Sequence, residues 1–198
     1  SIGECVSIIP LIEAINNNNN NNINFLVTTV TLSSSKMIEL KLSKHENIFH
    51  RFFPLDIEKL AENFLSNWKP DLICFVDSEV WPNFLFKIKE KKIPLLLINA
   101  RLTRKSFNRW KIINNFARKV FNNFDLCLAA SEESKNNLSS LKAKNIKYIG
   151  NLKYSIPSTL DELNDSNKKI LDNYKTWCAA STHNGEELIF LKTHIEIK

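Results

Sequence analysis

Short apolar runs recur along the chain at Ile23–Val30, Asp71–Val76, Pro94–Ile98, Phe124–Ala130 and Ile146–Ile149. Each is brief and bounded by proline, aspartate, glycine or a polar cluster, which is the pattern of a buried strand. His50–Leu55 adds a further short candidate. Between them lie stretches with apolar positions at helical spacing: Val6–Ile15, Ile57–Trp68, Trp81–Lys91, Thr103–Phe121 and Ser131–Leu141. Strand followed by helix, repeated, predicts a parallel sheet with helices on both faces, because parallel neighbours need a crossover. The fold class is therefore α/β with a Rossmann-like layout. The low-complexity run Asn16–Asn22 reads as an expanded surface loop. A boundary falls near Tyr154–Pro157, giving a first domain over 1–156 and the start of a second over 157–198. Past it come a polar helix-like segment (Thr159–Tyr174), a short strand (Thr176–Ala180) and the loop Ser181–Glu187, which read as the opening of a second Rossmann-like unit.

In such sheets ligands bind beyond the carboxyl ends of the strands. The polar motifs fall there: Asp77-Ser78-Glu79, Asn99-Ala100-Arg101 and Ser131-Glu132-Glu133 each follow an apolar run. Ser1–Glu4 would follow a strand lying upstream. A first residue other than Met and a last residue inside a helical pattern give the expectation of a chain cut at both ends. No stretch approaches the ~20 apolar residues that cross a bilayer, no secretory signal precedes the first motif, and an anchor upstream is allowed.

The four cysteines (Cys5, Cys74, Cys127, Cys178) are scattered with no CxxC, so no metal site is expected. Cys74 and Cys127, set in apolar runs, read as small buried hydrophobes in a reducing compartment. The net charge of +6 reflects in part an A/T-rich coding bias towards lysine, and its distribution is more telling. Lys91–Phe124 carries Lys91, Lys92, Arg101, Arg104, Lys105, Arg109, Lys111, Arg118 and Lys119 without one acid. A single-sign field points to an anionic partner, either phosphate, a membrane surface or nucleic acid.

There are only three glycines, Gly3, Gly150 and Gly185, each close to ionisable residues. Such scarcity marks them as places where the backbone turns tightly or a ligand comes close. Glu4, at a predicted helix start, is either a first-turn acid favoured by the helix dipole or a carboxylate held ionised as a general base. Neither GxGxxG nor GxxxxGK[ST] is present, so a glycine-rich phosphate cradle fits poorly. Glu79 follows an apolar strand and precedes Trp81-Pro82, and reads as functional; Asp77 reads as a structural cap and Trp81 as packing. Lys153 is either an ordinary surface lysine or a charge-stabilising group at the domain junction. His183 either caps the helix that follows it or contacts ligand.

Seven stretches, in order, together resemble one family. They are SIGE, FPLD (Phe53–Asp56), VDSEVWPN, INARL, SEES, IGNLK and STHNGEE. The chain resembles the 3-deoxy-D-manno-octulosonic acid (Kdo) transferases of lipopolysaccharide assembly; Ser78 stands where that pattern more often has threonine. The resemblance implies a metal-independent, inverting GT-B glycosyltransferase without cofactor. It would move Kdo from CMP-Kdo to a lipid A precursor at the cytoplasmic face of the inner membrane of a Gram-negative bacterium. It implies Glu4 as general base, with Glu79 and Lys153 stabilising the transition state. The acceptor side would comprise Ser1, Gly3, Arg101, Arg104, Lys105 and Arg109, facing an anionic membrane rather than nucleic acid, and the donor side His183 and Glu186. The rest of the nucleotide-sugar site would lie beyond Lys198, so the chain by itself is expected to turn over poorly.

Overall fold

The computed structural model describes residues 2–19, 22–155, 168 and 177–197. The chain divides into two compact units, Ser1–Pro157 and Ser158–Lys198. The first alternates helix and strand: α1 (Ile2–Asn18), β1 (Phe25–Thr29), α2 (Leu32–Leu42), β2 (Ile48–Phe52), α3 (Glu58–Trp68), β3 (Ile73–Val76), α4 (Pro82–Glu90), β4 (Leu95–Ala100), α5 (Arg104–Ile112), α6 (Asn114–Phe121), β5 (Leu126–Ala129), α7 (Glu132–Ser140) and β6 (Ile146–Tyr148). A 3-10 turn, Leu152–Ser155, follows β6.

Every strand pairing is parallel, as the alternation requires. The strands form two sheets, β1–β2 and β3–β4–β5–β6. Val27 lies opposite His50 in the first. Phe75 faces Leu97, and Leu97 faces Cys127, in the second. The unbroken apolar run of β4 reflects its position, because five of its six residues are buried and helices cover both faces. Around it Phe75, Phe84, Leu85, Ile88, Leu97, Phe121 and Phe124 form the main core. A separate cluster joins Cys5, Ile9 and Ile12 of α1 to Ile38 and Leu42 of α2, over Phe25 and Val27 of β1.

Side-chain oxygens start three of the helices. Thr31, Thr103 and Ser131 accept from the backbone N–H three residues on, opening α2, α5 and α7. Helix α4 begins at Pro82 and has no cap of its own. Asp56, far away in sequence, supplies one: its carboxylate accepts from Asn83 N–H (3.2 Å) and Phe84 N–H (3.0 Å). The Asn83 amide returns a 2.6 Å bond to the Asp56 carbonyl. The FPLD turn is thereby fastened to the segment that carries Glu79.

Five expectations are corrected. Helix α2 was not anticipated, since LSSSKMIELKL buries only Ile38 and Leu42 among its large side chains, too narrow a stripe to show as periodicity. Thr103–Phe121 is two helices, broken at Ile113, whose backbone leaves the helical region (φ −109°, ψ 45°). The asparagine run is not all loop. Helix α1 continues to Asn18, and Asn16 is fully buried, accepting from Asn47 Nδ2 at 2.6 Å. Cys74 is exposed rather than buried, whereas Cys127 is buried. Residues 177–180 form no strand; Thr176, and the segment Thr159–Tyr174 apart from Lys168, lie outside the described residues. The second unit contains α8 (Glu186–Ile197).

Replacing Asp56 by alanine is expected to lower the unfolding free energy by about 0.5–2 kcal/mol, the range for losing a helix cap. Urea denaturation of wild type and Asp56→Ala measures it, and an unchanged midpoint would show that Asn83 and Phe84 need no acceptor there.

Candidate functional site at the sheet's carboxyl edge

Strands β3 and β4 end in the same unusual way. Asp77 (φ 61°) and Asn99 (φ 50°) both adopt the left-handed conformation, and both are buried, 6% and 1% exposed. Aspartate and asparagine tolerate this region better than most residues, and such strain concentrates at functional sites. Asp77 still keeps its place beside β4: its N–H donates to Ile98 O (3.0 Å), and its carbonyl accepts from Arg101 N–H (3.1 Å). Asn99 does a different job. Its side-chain oxygen accepts from Leu152 N–H at 3.0 Å, fastening the turn that follows β6 to the end of β4.

That turn carries Lys153. The chain enters it through Gly150, at φ 85°, a conformation that L side chains rarely adopt. Asn151 Oδ1 then accepts from Lys153 N–H at 3.0 Å. The lysine ammonium comes to the first turn of α1, where a Cβ on Gly3 would stand 3.6 Å from Nζ. Glu4 is the next residue. Gly3 thus lies within contact range of a cation delivered from the other end of the unit, at a distance where a Cβ would make only an ordinary van der Waals contact.

Glu79 lies after β3. Trp81 Nε1 donates to its carboxylate at 2.6 Å, while the Trp81 ring packs 5.5 Å from that of Phe53. Burial pushes the Glu79 carboxyl above its ordinary pKa; the Trp81 bond opposes this, and the charges of Glu4 and Asp77 add to the rise. Burial also raises Asp77, and Glu4 raises it further, while Arg101 and Lys153 pull it back. Glu4, Arg101 and Lys153 are therefore close enough to act on the Asp77 carboxyl, and Glu4 and Asp77 on that of Glu79. Beside Asp77 a small pocket opens, walled by Ser78, Arg101, Ser106 and Trp110. Such a patch can accept a proton, oppose a developing positive charge and hold an anion.

The structure brings together Gly3, Glu4, Glu79 and Lys153, and Arg101 joins them through Asp77. Arg104, Lys105 and Arg109 lie on α5, exposed; Arg104 N–H is capped by Glu133 Oε1 at 2.9 Å. Ser1 lies outside the described residues. His183 and Glu186 belong to the second unit and cap each other: Glu186 accepts from His183 N–H (2.9 Å) and donates its own N–H to the His183 carbonyl (3.0 Å). Asp77 was read as a cap, but its carboxyl belongs to the charged patch. Asn99 was passed over as a candidate, although a lone polar residue closing the apolar run LLLI was a usable signal. Among the described residues no three His, Cys, Asp or Glu side chains group to hold a metal ion, and no helix is long and apolar enough to cross a membrane.

Residues 1–156 match a family model described as 3-deoxy-D-manno-octulosonic-acid transferase (kdotransferase). The chain belongs to the Kdo transferase family. Curated relatives agree. A 3-deoxy-D-manno-octulosonic acid transferase of Rickettsia bellii is 34% identical over 96% of this chain. A probable mitochondrial one of Arabidopsis thaliana is 32% identical over 98%, and one of Haemophilus influenzae is 28% identical over 98%. The chain spans less than half of each of these Kdo transferases, 45%, 45% and 46%. Among solved structures, the Staphylococcus aureus MnaA–UDP co-structure is similar with TM-score 0.53 and 14% identity, over 85% of this chain and 48% of that one. That likeness is one of fold: the α/β, Rossmann-like architecture of GT-B proteins.

The raised carboxyls make a pH prediction. A folded state that raises a carboxyl pKa binds the proton more tightly than the unfolded chain, so the group favours folding at low pH. That contribution is lost as pH rises through the raised value. Glu79→Gln removes the titration and keeps an acceptor for Trp81. It is expected to raise the thermal midpoint, relative to wild type, more at pH 7 than at pH 4. Equal differences at the two pH values would show that Glu79 is not perturbed.

Proposed function

We propose that the chain is the acceptor-side part of a glycosyltransferase of lipopolysaccharide assembly, moving Kdo from CMP-Kdo to the lipid A precursor lipid IVA with inversion and without a metal. The observation that carries this reading is the meeting of the Lys153 ammonium with the first turn of α1 at Gly3, beside the carboxyls of Asp77 and Glu79. Glu4 takes the proton of the acceptor hydroxyl. As the leaving group departs, the sugar centre gains oxocarbenium-like charge, which Glu79 opposes. Lys153 balances the anionic phosphate and the donor's own carboxylate. The nucleotide-sugar side, to which His183 and Glu186 are assigned, is completed by the part of the relatives that this chain does not span.

The acceptor is an anionic glycolipid, and α5 has the chemistry to meet it. Arg104, Lys105 and Arg109 are followed by an apolar break in which Ile112 is 84% exposed, with Ile113 and Phe116 also exposed. Cations beside exposed apolar side chains suit the anionic cytoplasmic leaflet of the inner membrane.

Joining this chain to the carboxyl-terminal half of the Rickettsia bellii relative provides the test. The joined protein is expected to transfer labelled Kdo to lipid IVA. Glu4→Gln and Lys153→Met should each lower kcat roughly 100-fold or more with folding retained. A joined protein that binds lipid IVA yet transfers nothing would instead favour a half that keeps only lipid A binding. For the isolated chain, reversing Arg104, Lys105 and Arg109 to glutamate should weaken binding to phosphatidylglycerol vesicles at least ~10-fold. Unchanged binding would overturn the membrane assignment.

A further inference from the structure

Glu79 lies in neither strand nor helix, on the stretch between β3 and Pro82, the first residue of α4. Its N–H bonds Val76 O at 3.3 Å, which places the backbone but does not aim the carboxyl. A glutamate has several side-chain torsions to freeze, so a carboxyl that must meet a developing charge needs a further hold. Trp81 supplies it: its Nε1–H donates to Oε2 at 2.6 Å, a short bond of the kind an ionised acceptor makes. An indole N–H is a donor only, so it engages an oxygen that accepts and has no second way to be satisfied. Packing is therefore half of what Trp81 does.

The indole is itself held from two directions. Pro82 confines the Trp81 backbone to the extended region (φ −117°, ψ 91°), and the Trp81 carbonyl accepts the first bond of α4 from Leu85 N–H at 2.9 Å. On the other side its half-buried ring meets that of Phe53 at 5.5 Å, tilted by 43°. Phe53 is fixed in turn, because its N–H donates to Thr29 O at 2.8 Å. Its ring also lies 4.4 Å from that of Phe84 and 6.0 Å from that of Phe75, inside the main core. Three residues further on, the Asp56 carboxylate caps α4 at Asn83 and Phe84. FPLD thus grips the segment once on each side of Pro82, by a ring before it and by a carboxylate after it.

We infer that Trp81 is a positioning residue for the proposed transfer: its indole holds Oε2 of Glu79, so that Oε1 is the oxygen presented to the sugar centre, and Phe53 holds the indole. The inference rests on the role proposed for Glu79 and adds how that carboxyl is aimed. It also gives FPLD, which the proposed chemistry leaves without a task, a part in the site. The same bond supports the ionised carboxyl against burial and against the charges of Glu4 on α1 and Asp77 after β3, which act on the same group. Without the indole the carboxyl turns more freely and keeps its proton to higher pH, and both changes weaken its hold on positive charge.

Two readouts test it. In the isolated chain, the Trp81 indole N–H resonance is expected to move with pH as Glu79 titrates, and to lose that movement in Glu79→Gln. Trp81→benzothienylalanine keeps the shape of the ring and puts sulfur in place of the N–H. The Glu79 carboxyl, followed by NMR, should then titrate at higher pH, and Phe53→Leu should move it in the same direction. An indole resonance indifferent to Glu79, or a titration that the sulfur isostere leaves unmoved, would overturn the positioning role whatever the transfer assay shows. In the protein joined to the Rickettsia bellii half, the isostere should lower kcat roughly 10-fold or more with KM little changed. A kcat lowered by Glu79→Gln but not by the isostere would overturn this inference alone. A kcat that neither substitution changes would overturn the role of Glu79 on which it rests.

Discussion

Carboxylates crowded onto one sheet edge are the constraint on which the rest of this unit depends. Glu4, Asp77 and Glu79 repel one another, and burial raises the cost of ionising the last two. Arg101 and Lys153 draw Asp77 back towards ionisation. Neither cation is local in sequence to Glu4; Lys153 is brought to it by the turn after β6. The buried Asn99 fixes that turn through one hydrogen bond to Leu152. A fold that did not return β6 to the side of α1 would leave the acids without that counter-charge.

The scaffold does this with parallel strands whose carboxyl ends lie on one side of the sheet. Loops leaving β3, β4 and β6 open towards the same place, and α1 points its first turn, with its favourable field for anions, into it. Left-handed residues stand just after β3 and near the end of β4, where Asp77 and Ala100 stay bonded or paired to the neighbouring strand. The Asp56 cap on α4 and the Trp81 bond to Glu79 hold the outer wall. Under the proposed transfer a proton is removed, positive charge develops at a sugar carbon and anions surround it, and the residue types in the patch suit those needs.

Most of the alternation was legible because buried parallel strands are continuous apolar runs. LLLINA is the plainest case, and α3, α4 and α7 carried clear stripes or caps. Helix α2 escaped because two buried residues and a threonine cap, rather than a stripe, determine it. The break at Ile113 escaped because the basic residues run on across it without a change of pattern. Glu4, Glu79 and Lys153 stood out by position after a strand or at a helix start. Asp77 was misjudged for a physical reason: its role comes from burial and from charges distant in sequence, which a local capping rule does not contain. The division of the sheet was equally hidden, since each run reads as a strand regardless of what lies beside it.

The most direct measurement of the central claim is the titration of Asp77 and Glu79 by carbon-13 NMR, in wild type and in Lys153→Met. Both carboxyls are predicted to titrate above their ordinary values, and Asp77 is predicted to rise further once the lysine charge is gone. An Asp77 titration that the substitution leaves unmoved would contradict the account, because Lys153 would then not share the patch.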